Sequence, residues 1–99
     1  MRLVVYPEIE EKLETKHQVS ISEVEEAFLN RTGTFAKEAR PQHLGKDPRY
    51  WFISETDVGR HLKIVFVDDP TEPGAVIITA YEPNEMEEEE YARLQTEKS

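Results

Sequence analysis

Six residues in the middle of the chain carry the chemistry that would suit a phosphate-rich ligand. Arg49, Arg60, His61 and Lys63 lie on or beside two β-rich runs, "RYWFISET" and "RHLKIVFVD", with Tyr50 and Trp51 next to the first cation. Cations meet phosphates and aromatic rings meet bases, so this set fits a single-stranded RNA surface, with Arg49, Trp51, His61 and Lys63 as its binding residues. His17 adds a group whose ordinary pKa lies near neutrality, a candidate general acid or base. A plainer reading stands beside each of these. Trp51 or Tyr50 could be core, the arginines could be ordinary exposed strand residues, and His17 could be the capping or packing residue of a helix end.

Charge sharpens the question. The chain has 99 residues and a net charge of −9, which argues against a generic nucleic-acid binder. Yet residues 31 to 63 hold seven bases against four acids, a +3 island, while residues 82 to 99 hold seven acids against two bases. The acidic run "EMEEEEY" could dock on a basic partner, but acids also suit the first turn of a helix, whose dipole favours them.

Other chemistries find no support. The three histidines, His17, His43 and His61, stand at no helical spacing from one another, so no metal site is expected. Four scattered glycines make no phosphate loop, no nucleotide cofactor is expected, and no G-x-S-x-G elbow is present. With no cysteine there is neither a disulfide nor thiolate chemistry. The first residues lack a signal peptide's apolar region, and no apolar run is long enough to cross a bilayer. A cytoplasmic protein without a membrane partner is the expectation.

The elements that must position these residues can be read in order. "RLVVY" predicts a short strand ending at Pro7, and Ile9, Leu13 and His17 mark one stripe of a first helix. Ser20 predicts the N-cap of a second helix. Glu23 completes its capping box, Val19 and Val24 form the staple, and Ile21, Val24, Ala27 and Phe28 make the buried face. "TGTFAKEAR" is a strand candidate and "PQHLGKDP" a loop. The two strong strands joined by "DVG" should pair as a hairpin, with Leu62, Ile64 and Phe66 on one face of the second. "DPTEPG" reads as a turn and "AVIITAY" as a last, central strand. Asn84 then caps a final helix with Glu87 at its third position, and Met86, Tyr91 and Leu94 would face the sheet. The sum is one domain, residues 1 to 99, of α+β class: a strand and two helices, a four-stranded antiparallel meander, and a C-terminal helix, with the helices on one face.

Three segments together resemble a known family. "KHQVSISEVEEAF" is similar to the "KH-G-VSF-EEA-x-x-F" segment of the BrnT-like toxins of bacterial type II toxin-antitoxin systems, matching at Lys16, His17, Val19, Ser20, Ala27 and Phe28. "GRHLKIVFV" resembles the family's Gly-Arg followed by an apolar strand. "VIITAYEPNEMEEEEY" resembles its "IRIISARKAT-x-x-E-x-x-x-Y" ending, with Thr79, Ala80, Asn84, Glu87 and Tyr91 in register.

The resemblance implies a RelE-like fold, metal-independent hydrolysis of RNA, an RNA substrate, and inhibition by a DNA-binding antitoxin. It makes His17, Arg60, Tyr81 and Glu82 the catalytic candidates. Arg60 would stabilise charge on a phosphorane-like transition state, Tyr81 would act as an acid or a stacking surface, and His17 or Glu82 would move a proton. Two departures fall on that chemistry: the family's arginine in "SAR" is Tyr81 here, and its following basic residues are Glu82 and Pro83. They open a second expectation, a non-catalytic protein-binding or regulatory module on the same fold that has lost its cations.

Overall fold

A computed structural model describes residues 2–38, 48–68, 71 and 74–97. The elements are β1 (Leu3–Val4), α1 (Pro7–Lys16), α2 (Ile21–Leu29), β2 (Ala36–Lys37), β3 (Arg49–Glu55), β4 (His61–Val67), β5 (Ala75–Tyr81) and α3 (Glu85–Glu97). The fold is α+β, as expected. Most of the "PQHLGKDP" loop, His43 within it, the end of "TGTFAKEAR" and most of "DPTEPG" lie outside the described residues.

The sheet runs β1-β5-β4-β3-β2. The expected meander from β2 to β5 is antiparallel, and β1 joins the far side of β5 in parallel, with Leu3 opposite Ala75 and Val4 opposite Val76. β5 is therefore an interior strand, as expected, flanked by β1 and by β4, the middle strand of the five. Pro7 does more than stop the first strand: it sits in the first turn of α1, where its missing amide costs nothing and its fixed φ suits the helix.

The α2 start is formed as read. The Ser20 side chain accepts from the Glu23 amide, and the Glu23 carboxylate accepts from the Ser20 amide at 3.0 Å. Val24 and Ala27 are fully buried, while Phe28 packs edge to face on Phe52, with ring centroids 4.7 Å apart. Phe52, Leu62, Ile64 and Phe66 share this face of the sheet, which α1 and α2 cover.

The third helix departs from the expectation of helices on one face. Trp51 is paired with Val65, and Ile53 with Lys63, on the strand faces opposite to Phe52 and Ile64. Tyr91 of α3 packs on Trp51 there, with centroids 5.5 Å apart, so the sheet is sandwiched. Tyr91 and Leu94 face the sheet as expected, whereas Met86 is 78% exposed and Glu87 and Gln95 complete the inward stripe. A helix this acidic has little apolar surface to bury, and hydrogen bonds hold much of its contact.

Between α1 and α2, Gln18 has φ +53, and among the described residues it alone outside glycine takes a positive φ. That conformation lets the Val19 amide reach Leu13 O at 2.9 Å and turns the chain into α2. A side chain there crowds the backbone, whereas glycine would not. Gln18→Gly is expected to stabilise the fold by about 0.5–1 kcal/mol, the αL cost less the extra entropy of glycine, raising the urea midpoint by about 0.5 M.

Candidate functional site

The polar residues collect where β4 begins and β5 ends. The antiparallel register sets Lys63 opposite Tyr81 and Glu55 opposite His61, and strand alternation then sends neighbouring side chains to opposite faces. Arg60 and Glu82 point toward the turn between α1 and α2. Lys63, His61 and Tyr81 point toward α3.

On the first side Arg60 is a clamp. Its Nη1 donates to Gln18 O at 2.8 Å and to Glu23 Oε2 at 3.0 Å, and its Nη2 donates to His17 O at 3.2 Å and Glu82 Oε2 at 3.1 Å. The side chain is 21% exposed. Burial disfavours the guanidinium charge, but Glu23 and Glu82 more than offset it and hold the pKa above its ordinary value. Burial likewise pushes the Glu23 carboxyl up, and the Ser20 amide and Arg60 pull it below the usual carboxylate value. One carboxylate thus serves the α2 cap with Oε1 and the clamp with Oε2.

On the α3 side Glu87 plays the matching part. Its Oε1 accepts from the Asn84 amide at 3.0 Å and its own amide donates to Asn84 Oδ1 at 2.8 Å, the capping box read from the sequence. Its Oε2 accepts from Lys63 Nζ at 2.9 Å and from the Tyr81 hydroxyl at 2.6 Å. Burial raises the Glu87 pKa, and the Tyr81 hydroxyl, the Asn84 amide and Lys63 together carry it below the ordinary value. Lys63 Nζ also lies 4.4 Å from the centre of the Trp51 ring.

His61 stands between two carboxylates, with Nδ1 2.5 Å from Glu88 and Nε2 3.2 Å from Glu55. The Glu88 hydrogen bond raises its pKa, burial opposes that, and the charges of Glu88 and Glu55 add to the rise. Its contribution to stability is complete below the unfolded-state value and is lost as pH rises through the folded one. His17 shifts the other way, lowered first by burial and then by the charges of Lys16 and Lys12, so its imidazole is neutral at neutral pH. Its ring reaches past the sheet edge to Tyr81, with centroids 5.7 Å apart.

The expected set is therefore brought together only in part. His17, Arg60, Tyr81 and Glu82 converge at one corner, and His61 and Lys63 lie around the sheet on the α3 side. Arg49 does not join them: it pairs with Val67 at the far end of the hairpin, six residues and about 20 Å from Glu55. Trp51 offers no stacking face, because it is 5% exposed beneath Tyr91 and Lys63. The cleft of about 320 Å³ beside α3 takes in His61 with Glu55 and Glu88, but none of the other expected residues.

Glu23, Glu55, Glu87 and Glu88, which engage the cations, were not among the expected site residues. A signal existed for two of them. In a capping box the glutamate spends one oxygen on the backbone, so Glu23 and Glu87 each had a second oxygen to offer a cation. No group of three or more metal-binding side chains occurs among the described residues, and none of their helices is long and apolar enough to cross a membrane. Comparison with known protein families, with curated proteins and with solved structures finds no match.

Proposed function

We propose that this chain is a non-catalytic protein-binding module on a scaffold related to the BrnT-like toxins, rather than a working ribonuclease. One observation carries the reading: where β4 begins and β5 ends, Arg60 on one face of the sheet and His61 and Lys63 on the other are each already engaged by a carboxylate. Arg60 is held by Glu23 and Glu82, His61 by Glu55 and Glu88, and Lys63 by Glu87. Five acids surround two permanent cations and one histidine. A phosphodiester entering there meets net negative charge and must break ion pairs before it gains any contact.

The relationship to the toxins is part of the proposal, as are an intracellular setting and any antitoxin. What supports the relationship, besides the matched segments, is that the glycine of "KH-G-VSF" falls on Gln18, the position that the turn places at positive φ. Support for a protein partner is an edge of β3 that is unpaired among the described residues.

A second reading, the ribonuclease, is favoured by the neutral His17 imidazole standing beside Tyr81, a pair able to exchange protons with a ribose hydroxyl. Incubation with end-labelled single-stranded RNA in metal-free buffer separates the two. Wild type, His17→Ala and Arg60→Ala are all expected to leave the RNA at the level of buffer alone. Cleavage by wild type that disappears in His17→Ala would overturn the non-catalytic reading. Expression of wild type in a bacterial host is expected to leave growth unchanged, with inhibition appearing only when Tyr81→Arg restores the cation of the toxin pattern.

A further inference from the structure

β3 is longer than the strand that covers it. The amide of Thr56 donates to Arg60 O, so residues 50, 52, 54 and 56 turn their backbone groups toward β4, and residues 49, 51, 53 and 55 turn theirs outward. Toward β2, the Glu38 amide donates to Arg49 O, and Ala36 pairs with Trp51. The next partner in that register would be Thr34 opposite Ile53. Thr34 is instead captured by α3: its carbonyl accepts from the Tyr91 hydroxyl at 2.8 Å, and its amide donates to Gln95 Oε1 at 2.7 Å. Gly33 permits this close approach, since a Cβ there would lie 2.6 Å from the Tyr91 oxygen. Beyond Trp51 the strand therefore has an open edge as far as the described residues go. The Glu55 carbonyl is met by the Asn30 side chain at 3.0 Å, while the amide and carbonyl of Ile53 and the amide of Glu55 have no partner among the described residues.

This edge opens into the cleft beside α3, whose walls are Asn30 and Thr32 on one side and Glu88, Tyr91 and Ala92 on the other. Its charge is acidic. Glu55 and Glu88 flank it with His61 between them, and Glu26 and Asp57 stand at its hairpin end, where Glu26 accepts from the Asp57 amide.

We propose that the open edge of β3 at Ile53 to Glu55 is the docking site of an extended, basic segment of a partner protein, which adds to the sheet as a further strand. The proposal rests on the protein-binding reading above and names its surface. Main-chain hydrogen bonds to Ile53 and Glu55 supply the pairing, and lysine or arginine side chains alternate toward Glu55 and Glu88 on the α3 side. A second copy of this chain is a poor occupant, because each copy brings the same carboxylates to the edge and a net charge of −9.

The test is amide hydrogen exchange on the full chain with a short peptide of alternating lysine and valine. Comparators are the glutamate–valine peptide and a lysine–valine peptide N-methylated along its pairing edge. The expected result is about tenfold slower exchange at Ile53 and Glu55 with the basic peptide alone. Ile53→Pro should abolish it without disturbing β4, since that amide points outward. Ala92→Arg, at an exposed helix position facing the cleft, should do the same if the proline variant fails to fold.

No slowing with the basic peptide, or equal slowing with either comparator, overturns the proposal. Slowing that grows with protein concentration in the absence of peptide also overturns it, by making the occupant a second copy. RNA cleavage by the same preparation would sink the non-catalytic reading by a separate readout, leaving the exchange result as it stands.

Discussion

Arg60→Ala is expected to lower the melting temperature by about 10 °C, even though the residue was read from the sequence as a phosphate-binding cation. The guanidinium ties together the α1–α2 turn through His17 O and Gln18 O, the start of α2 through Glu23, and the exit of β5 through Glu82. Removing it strands two carbonyls and leaves Glu23 partly buried without its cation. Hydrogen bonds to charged groups contribute about 1.5–3 kcal/mol each at best, and partial exposure with mutual dependence brings the total to ~2 kcal/mol. For a domain of this size that loss corresponds to about 10 °C. Arg60→Lys should recover less than half, because a single ammonium cannot span four acceptors in a fixed fork. Calorimetry of the two variants checks this, and an unchanged melting temperature in Arg60→Ala would release Arg60 for a role in ligand binding.

Glu87→Ala is expected to cost a similar amount, ~2 kcal/mol, from about 1 kcal/mol of lost helix capping and about as much again for leaving Lys63 and Tyr81 without their acceptor. Lys63 is 15% exposed and Glu87 20%, so neither is solvated well enough to compensate cheaply. Glu87→Gln keeps an oxygen for the Asn84 amide and should lose only about half as much. The two variants also differ from wild type in acid. The folded-state pKa of Glu87 is depressed, so its contribution is complete above the unfolded-state value of about 4.3 and is lost as pH falls through the folded value. Urea melts between pH 7 and pH 3 should show an acid loss of stability in wild type that Glu87→Gln flattens. Parallel acid limbs in the two proteins would contradict the ion pair.

Both predictions turn on carboxylates that the sequence keeps far from the basic island. Glu23 lies 37 positions from Arg60, and Glu87 lies 24 from Lys63. Block charges along the chain marked the middle third as positive, but a folded surface averages over space, and the strand ends bring acids from both flanks onto Arg60, His61 and Lys63. The same argument separates Arg49 from the rest. Its type and its place beside Tyr50 and Trp51 fitted the set, whereas hairpin register sends it to the opposite end of the sheet.

Local chemistry was readable without coordinates wherever neighbours in sequence suffice to define it. Ser20 with Glu23, and Asn84 with Glu87, announce helix starts because a capping box closes within one turn. The β3–β4 hairpin follows from two strongly alternating runs around Gly59, which takes φ +87 at the turn. Alternation on β4 placed Leu62, Ile64 and Phe66 in the core. The sequence thus determined the α+β class, the antiparallel meander and the identity of most core residues, since each depends on periodicity or on contacts a few residues apart. Only the tertiary structure decided that α3 covers the second face, that its side chains peel Thr34 from β3, and that carboxylates from three elements occupy the cations. Those outcomes depend on which long-range pairs meet, and no spacing along the chain encodes them.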